Sequence, residues 1–215
     1  MGDDRVANWQ TGKALERKER ETDEHLKDQT TDNQSMQQKE ELESLLKTCE
    51  SAKDSVDAFL RSINDYVAVV EELPAIAKPL VRRDLESNTG MSADEWKAFL
   101  ERLGTRYSSI YDAAQRVTGA LANGGDDTEV AAATETLKEV SAPLTEGADI
   151  AIEQLETMAV YMEGLPDKIN MVPEAFLKGD SRDELISSVP GRVERARALK
   201  ELLEKTKGEL SAVAG

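Results

Sequence analysis

The chain has 215 residues, with 27 Lys and Arg against 43 Asp and Glu, a formal net charge of −16 at pH 7 and 4% aromatic residues. Nucleic-acid phosphates and anionic lipid surfaces attract basic side chains, and single-stranded nucleic acids also stack on aromatic rings. The composition therefore argues against nucleic acid and against anionic membranes as partners. The single cysteine, Cys49, excludes an intrachain disulfide.

Residues 1–34 form a polar lead-in. Their few large apolar side chains follow no helical or alternating period, so the segment cannot bury enough surface to offset the entropy of ordering it. We expect either a disordered segment or a frayed helix here. The lead-in lacks the apolar core of a signal peptide, and no apolar run in the chain approaches the ~20 residues of a membrane span. These features predict a cytoplasmic protein.

The strongest periodic signal follows the lead-in. In steps of alternately three and four residues, ten successive positions are apolar or aromatic, and we call them the first stripe: Leu42, Leu45, Cys49, Ala52, Val56, Phe59, Ile63, Tyr66, Val70 and Leu73. This is the spacing of heptad a and d positions, and it predicts a long helix over about 35–73. Pro74 is expected to end it, because proline disfavours helical conformation in the preceding residue.

Three further amphipathic helices are predicted, over about 92–122, 127–165 and 182–213. Ser92 to Glu95 and Ser181 to Glu184 have the capping-box pattern, which predicts that the first and last of these helices begin there. Asp127 is expected to cap the middle one.

Prolines modify this pattern. Pro143 is expected to kink the helix predicted over 127–165, and Pro166 is expected to end it. The connector after Pro166 has room for a short helix. Pro190 is expected to interrupt the last helix after one or two turns.

The predicted fold is therefore all-α, with residues 35–215 forming an elongated antiparallel bundle of about four long helices with coiled-coil-like seams. Each half of the chain has a long helix ending in Leu-Pro, a connector, a capping box and another helix. This echo is explained either by duplication of a helical hairpin or by chance. The first helix is longer than the second, so part of the first stripe should meet another helix, the lead-in or a second copy of the chain.

Catalytic and metal-binding patterns are scarce. His25 is the single histidine and lies in the lead-in. One histidine cannot supply a His-rich zinc site or a di-iron site. A Ser-His-Asp triad would have to use His25, which no apolar stripe positions, so we interpret it as a solvated residue. Gly124 and Gly125 precede two acidic residues, which suits a turn rather than a phosphate loop. We predict no catalytic residue, no metal and no cofactor, and we interpret Cys49 as a buried, inert thiol.

The last predicted helix has a locally basic stretch, formed by Arg192, Arg195, Arg197, Lys200, Lys205 and Lys207. We expect these side chains to pair along their own helix with Glu194, Glu201 and Glu204. The alternative is that they face an acidic partner or a neighbouring copy.

These observations favour a non-enzymatic helical interaction protein, such as an adaptor, scaffold or assembly subunit, that binds protein partners and forms homo-oligomers. The candidate interaction residues are Trp9, Val56, Phe59, Ile63, Tyr66 and Val70. Trp9 stands alone in a polar segment, and it either docks on a partner or packs back on the bundle.

Two alternatives stay open. One is a soluble bundle that becomes membrane-active when it exposes its apolar stripe. The other is a ligand carrier or enzyme with an interhelical pocket built from Tyr66, Tyr107, Tyr111, Met158 or Met162, although such residues are more simply explained as core.

Overall fold

The computed structural model describes the backbone of residues 3–124, 126–177 and 179–214, and the side chains of 36–124, 126, 128–177, 179 and 182–213. Over these residues the chain is all-helical and has no strand, which confirms the predicted class. The helices are α1 (Asp3–Glu72), α2 (Lys78–Thr89), α3 (Ala93–Ala122), α4 (Asp127–Glu163), α5 (Leu165–Met171) and α6 (Gly179–Ala214).

The chain divides into two compact units, residues 1–41 and 42–215. The first unit holds the N-terminal part of α1, whose helical backbone begins at Asp3 rather than at residue 35. The side chains of residues 1–35 lie outside the described residues, and so does the prediction for Trp9. The second unit holds the rest of α1 together with α2 to α6.

The first stripe lies in the core of the second unit. Eight of its ten residues are buried, and the other two, Tyr66 and Leu73, are partly buried. A Cβ atom built on Gly104 of α3 would lie 3.3 Å from Cγ1 of Val56, so these two helices approach closely where the glycine lies. Between Leu42 and Ile63 the first stripe therefore packs against other helices of the same chain, which is one of the three expected alternatives.

Polar contacts between α1 and α6 run in opposite chain order. Near the start of the unit, the Ser44 hydroxyl donates to Glu209 over 2.6 Å. Later in α1, Ser62 accepts from the Arg195 guanidinium over 2.7 Å. As the chain advances along α1, its contacts thus move back along α6.

The basic residues of α6 also reach other helices, which corrects the expectation that they pair along α6. Three of them form ion pairs with α4: Arg197 with Glu163 at 2.8 Å, Lys200 with Glu156 at 2.8 Å, and Lys207 with Asp149 at 2.7 Å. Of the ion pairs in the described part of the chain, Lys205 with Glu209 is the one that lies within α6, at 3.5 Å. Packing of α4 on α6 brings acidic and basic surfaces together that are distant in sequence.

The helix starts follow local capping chemistry. The predicted capping box at Ser92 is confirmed, since its hydroxyl accepts from the Glu95 amide and the Glu95 carboxylate accepts from the Ser92 amide. The cap of α4 is Asp126 rather than Asp127, and its side chain accepts from the Glu129 amide over 2.8 Å. The backbone of α6 is already helical at Gly179, two residues before Ser181.

Pro166 and Pro190 act differently from the prediction, and a kink at Pro143 stays a prediction. Pro143 and Pro190 both lie inside continuous helices, so the expected interruption at Pro190 is wrong. A proline in a helix costs about 3 kcal/mol through its missing amide and a steric clash. The flanking Val189 and Val193 are buried, and their packing keeps this part of α6 helical. Pro166 begins α5 instead of ending α4, because a first-turn amide has no helical acceptor to lose.

Candidate functional site: the connector cavity

A cavity of about 560 Å³ lies in the second unit where the two Leu-Pro connectors meet, and we call it the connector cavity. Its walls come from the end of α1, from α2, α4 and α5, from residues 172–177 and from the start of α6. Both long helices end beside it, α1 before Pro74 and α4 before Gly164. The volume lies within the range of about 300–1,000 Å³ that is typical of small-molecule sites.

Apolar side chains dominate the cavity. The buried part of its wall includes Val70, Leu165, Leu177 and Val189. Its rim carries large apolar side chains that are exposed to solvent, namely Ile76 at 72%, Leu80 at 65% and Met171 at 82%. Such a cluster of exposed apolar groups around a concave surface is typical of a binding site.

Arg182 of α6 holds the second connector in place. One of its Nη atoms donates to the backbone carbonyls of Val172 and Leu177. Both carbonyls belong to the loop that lines the cavity, so this arginine fixes the shape of that wall.

A hydrogen-bonded cluster of Asp84, Lys168 and Tyr161 occupies one side of the cavity. The Asp84 carboxylate of α2 accepts from Lys168 of α5 over 2.8 Å and 3.0 Å, and from the Tyr161 hydroxyl of α4 over 3.2 Å. Burial raises the pKa of Tyr161, and the neighbouring Tyr66 and Asp84 raise it further. Tyr161 is therefore neutral and acts as a donor, and the cluster ties three helices together.

Arg192 of α6 also lines the cavity, and the residue is 8% exposed. It makes no hydrogen bond or ion pair with any described residue. Burial lowers the pKa of Arg192, while the charge of Asp65 acts in the opposite direction. A guanidinium stays protonated in proteins, so the cavity contains a positive charge without a bonded partner.

Tyr66 contributes a second unpaired polar group. Its hydroxyl is buried and has no hydrogen-bond partner within the described residues. Burial raises the pKa of Tyr66, and Tyr161 and Arg192 are close enough to oppose that effect. The Tyr161 hydroxyl nevertheless does not meet hydrogen-bond geometry with Tyr66. A buried donor without an acceptor costs about 1–3 kcal/mol, so an acceptor supplied by a ligand would be favourable here.

No protein-family model matches the chain, and neither the curated proteins nor the solved structures give a significant match. Within the described side chains, no group of three or more His, Cys, Asp and Glu residues is arranged to hold a metal ion. None of the helices, over the residues described, is long and apolar enough to cross a membrane. Membrane activity through an exposed stripe stays a prediction.

The predicted interaction residues fall in two places. Val56, Phe59 and Ile63 are buried in the chain's own core, and Tyr66 and Val70 line the connector cavity. Within the second unit these five residues form no exposed face, because the first three are buried and the other two line the cavity. Their role toward a protein partner stays a prediction.

The pocket residues suggested by sequence are also dispersed. Tyr66 alone among them lines the connector cavity. Tyr107 is buried beside Thr206, and the Tyr111 hydroxyl donates to Glu50 on the surface over 2.8 Å. Met158 and Met162 line a small void of about 20 Å³ that Tyr66 also lines. These five residues therefore do not build one common pocket, and a ligand-carrier or enzyme role for them stays a prediction.

Sequence reasoning missed Arg192 as a cavity residue. The sequence assigns Arg192 to the basic stretch of the last helix, but its position also matches the spacing of the apolar residues on that helix. In steps of four, three, four and three residues, one helical face carries Leu185, Val189, Arg192, Ala196 and Leu199. A charged residue in such a register is a signal for a buried functional group.

Proposed function

We propose that this protein is a non-enzymatic helical binding protein that holds an apolar ligand in the connector cavity. The single observation that carries the proposal is the apolar cavity of about 560 Å³ with an exposed apolar rim. Burying a ligand there removes apolar surface from water, which stabilises the complex by about 25 cal/mol per Å² before the costs of association.

We further propose that the long helices of the second unit form an antiparallel bundle with coiled-coil-like packing. The opposite order of contacts between α1 and α6 supports this arrangement. So do the ion pairs between α4 and α6, whose partners also run in opposite chain order. In such a bundle the breaks after α1 and after α4 lie at one end, where the cavity is found.

A neutral apolar dye tests the ligand proposal. Nile red should bind the protein with increased fluorescence, and it should raise the melting temperature by mass action. Ala77→Trp places an indole in the cavity wall and should abolish dye binding. Ala131→Trp adds the same group at an exposed site on α4 and should leave binding unchanged.

Circular dichroism must show that both variants keep the helical content and cooperative melting of the wild type. Absence of saturable dye binding by the wild type would contradict the proposal. Equal binding by the wild type and Ala77→Trp would show that the dye binds elsewhere.

The second candidate is the interaction protein, in which the occupant of the rim is a second copy of this chain. The exposed Ile76, Leu80 and Met171 favour it, because a self-complementary apolar patch can pair across a two-fold axis. Light scattering across protein concentrations should then show a dimer that Leu80→Glu converts to monomer. Ile150→Glu is the matched control, since Ile150 is 63% exposed on α4 and lies outside the cavity. A monomer at every concentration would exclude this candidate.

A further inference from the structure

The connector cavity holds two kinds of polar group, and they differ in whether they are already bonded. Asp84, Lys168 and Tyr161 satisfy one another through hydrogen bonds of 2.8–3.2 Å. These groups gain little from a ligand, because a new contact would replace one that exists. On this side of the cavity the polar groups are therefore already hydrogen-bonded to one another.

Arg192 and Tyr66 are the unbonded pair. Arg192 is more than nine-tenths buried as a residue, and no described residue bonds its guanidinium. The Tyr66 hydroxyl is buried and likewise without an acceptor. Both residues line the connector cavity and also the small void of about 20 Å³ that adjoins it. The arrangement places a positive charge at the wall of an apolar space, together with a residue of the same wall whose buried hydroxyl lacks an acceptor.

We propose that the ligand of the connector cavity is a long-chain carboxylate of the fatty-acid class, with its headgroup on Arg192 and the Tyr66 hydroxyl and its chain along the apolar wall. This inference rests on the proposed function, and it names the ligand's chemistry. A carboxylate has about four acceptor positions and pairs with a guanidinium through two parallel hydrogen bonds. The phenolic hydroxyl supplies a third donor.

A singly charged headgroup fits better than a phosphate. One guanidinium is the only unpaired positive charge found among the described residues that line the cavity. The carboxylates of Asp84 and Asp65 lie nearby and disfavour a second negative charge. A phosphate monoester would carry close to two negative charges at neutral pH. The rest of the wall is aliphatic and suits a hydrocarbon chain.

Calorimetry on the delipidated full chain tests the assignment with three probes that share one tail: palmitate, palmityl alcohol and hexadecyl phosphate. Palmitate should bind with one molecule per chain, and about tenfold or more tightly than the alcohol. Arg192→Met should weaken palmitate by about tenfold to a hundredfold and leave palmityl alcohol unchanged. Tyr66→Phe should weaken palmitate by about threefold to tenfold.

Each variant has a matched control on the same chain. Arg197→Met removes an arginine of α6 that pairs with Glu163 on the surface, and Tyr107→Phe removes a buried hydroxyl away from the cavity. Both should bind palmitate like the wild type. Because Arg192 is unpaired in the free protein, Arg192→Met should melt no lower than the wild type. Arg192→Lys keeps the positive charge but loses the planar guanidinium that can donate two parallel hydrogen bonds. Its affinity for palmitate should lie between those of the wild type and Arg192→Met.

The outcomes separate the headgroup assignment from the binding function. If palmitate and palmityl alcohol bind equally, or if Arg192→Met binds palmitate normally, the headgroup assignment is overturned while the apolar site stands. Tighter binding of hexadecyl phosphate than of palmitate also overturns it. If none of the three probes and no Nile red binds, the proposed function fails as well.

Discussion

Phe59→Ala tests whether the first stripe is the core of this chain's own fold. The Phe59 side chain is 0% exposed and belongs to the central cluster of buried residues. Truncating a fully buried phenylalanine costs about 3–5 kcal/mol, because apolar burial is lost and a cavity remains. In a protein of about 150–250 residues each kcal/mol lowers the melting temperature by about 2–4 °C, so we expect a fall of about 6–20 °C.

The other two phenylalanines of the chain provide matched controls. Phe99 is partly buried and packs edge-on against Trp96, with ring centroids 5.5 Å apart. Phe176 is 42% exposed. The same truncation should therefore be most destabilising at Phe59, intermediate at Phe99 and small at Phe176, as followed by thermal and urea unfolding with far-UV circular dichroism.

Protein concentration distinguishes a core from an interface. If the first stripe were buried between two copies, the melting temperature would rise with concentration by mass action. For an intramolecular core, the difference in melting temperature between the wild type and Phe59→Ala should stay constant over about a hundredfold range, whether or not the cavity rim pairs two copies. If Phe59→Ala lowered the stability no more than Phe176→Ala, the argument that Phe59 is buried in the core would be refuted.

Three further predictions concern single groups. Burial raises the pKa of Cys49 to about 12, and the charge of Glu209 adds to the effect. A disulfide reagent at neutral pH should therefore label the thiol only as fast as the chain unfolds. Labelling at the rate of a free thiol would contradict this prediction. Ser92→Ala should cost about 1 kcal/mol. The hydrogen bonds from Ser92 lower the pKa of Glu95, so this capping contribution is present above the usual Glu pKa and is lost as pH falls through the lowered value. The difference between the urea midpoints of the two proteins should therefore shrink in acid without vanishing, because the Ser92 hydroxyl still caps the Glu95 amide. A difference that grows as pH falls would argue against the box. Gly90→Ala should destabilise by about 1 kcal/mol, because Gly90 has φ +74°. Gly119 lies in α3 with open space at the position of an added Cβ atom, so Gly119→Ala should stabilise the protein by up to about 1 kcal/mol. If urea unfolding gave the two variants changes of the same sign in the free energy of unfolding, the argument from backbone conformation would be refuted.

The buried face of each long helix could be read from sequence. The spacing of the first stripe places its side chains on one side of a helix, and those from Leu42 to Ile63 are buried. The capping box at Ser92 is likewise a local interaction between residues three apart. Both depend on helix geometry alone, and short-range geometry is encoded in short stretches of sequence.

The behaviour of the prolines could not be read in the same way. Pro190 carries its usual local cost, yet α6 continues through it. Val189 and Val193 of α6 are buried, and their packing outweighs the cost of about 3 kcal/mol that a proline carries inside a helix. Propensity rules contain no such contribution, so they end the helix too early.

The candidate site shows the same limit of local information. The sequence alone determined that the chain is helical, which faces of its helices are apolar, and that helices break near Leu73 and Leu165, although the second break falls at Gly164 and not at Pro166. Only the tertiary structure decided that both breaks border one cavity, that Lys200 pairs with α4 rather than along α6, and that Arg192 meets an apolar wall without a partner. The physical reason is that a hydrophobic period specifies which side of a helix is buried, whereas the partner of a charged group depends on which helices pack against it.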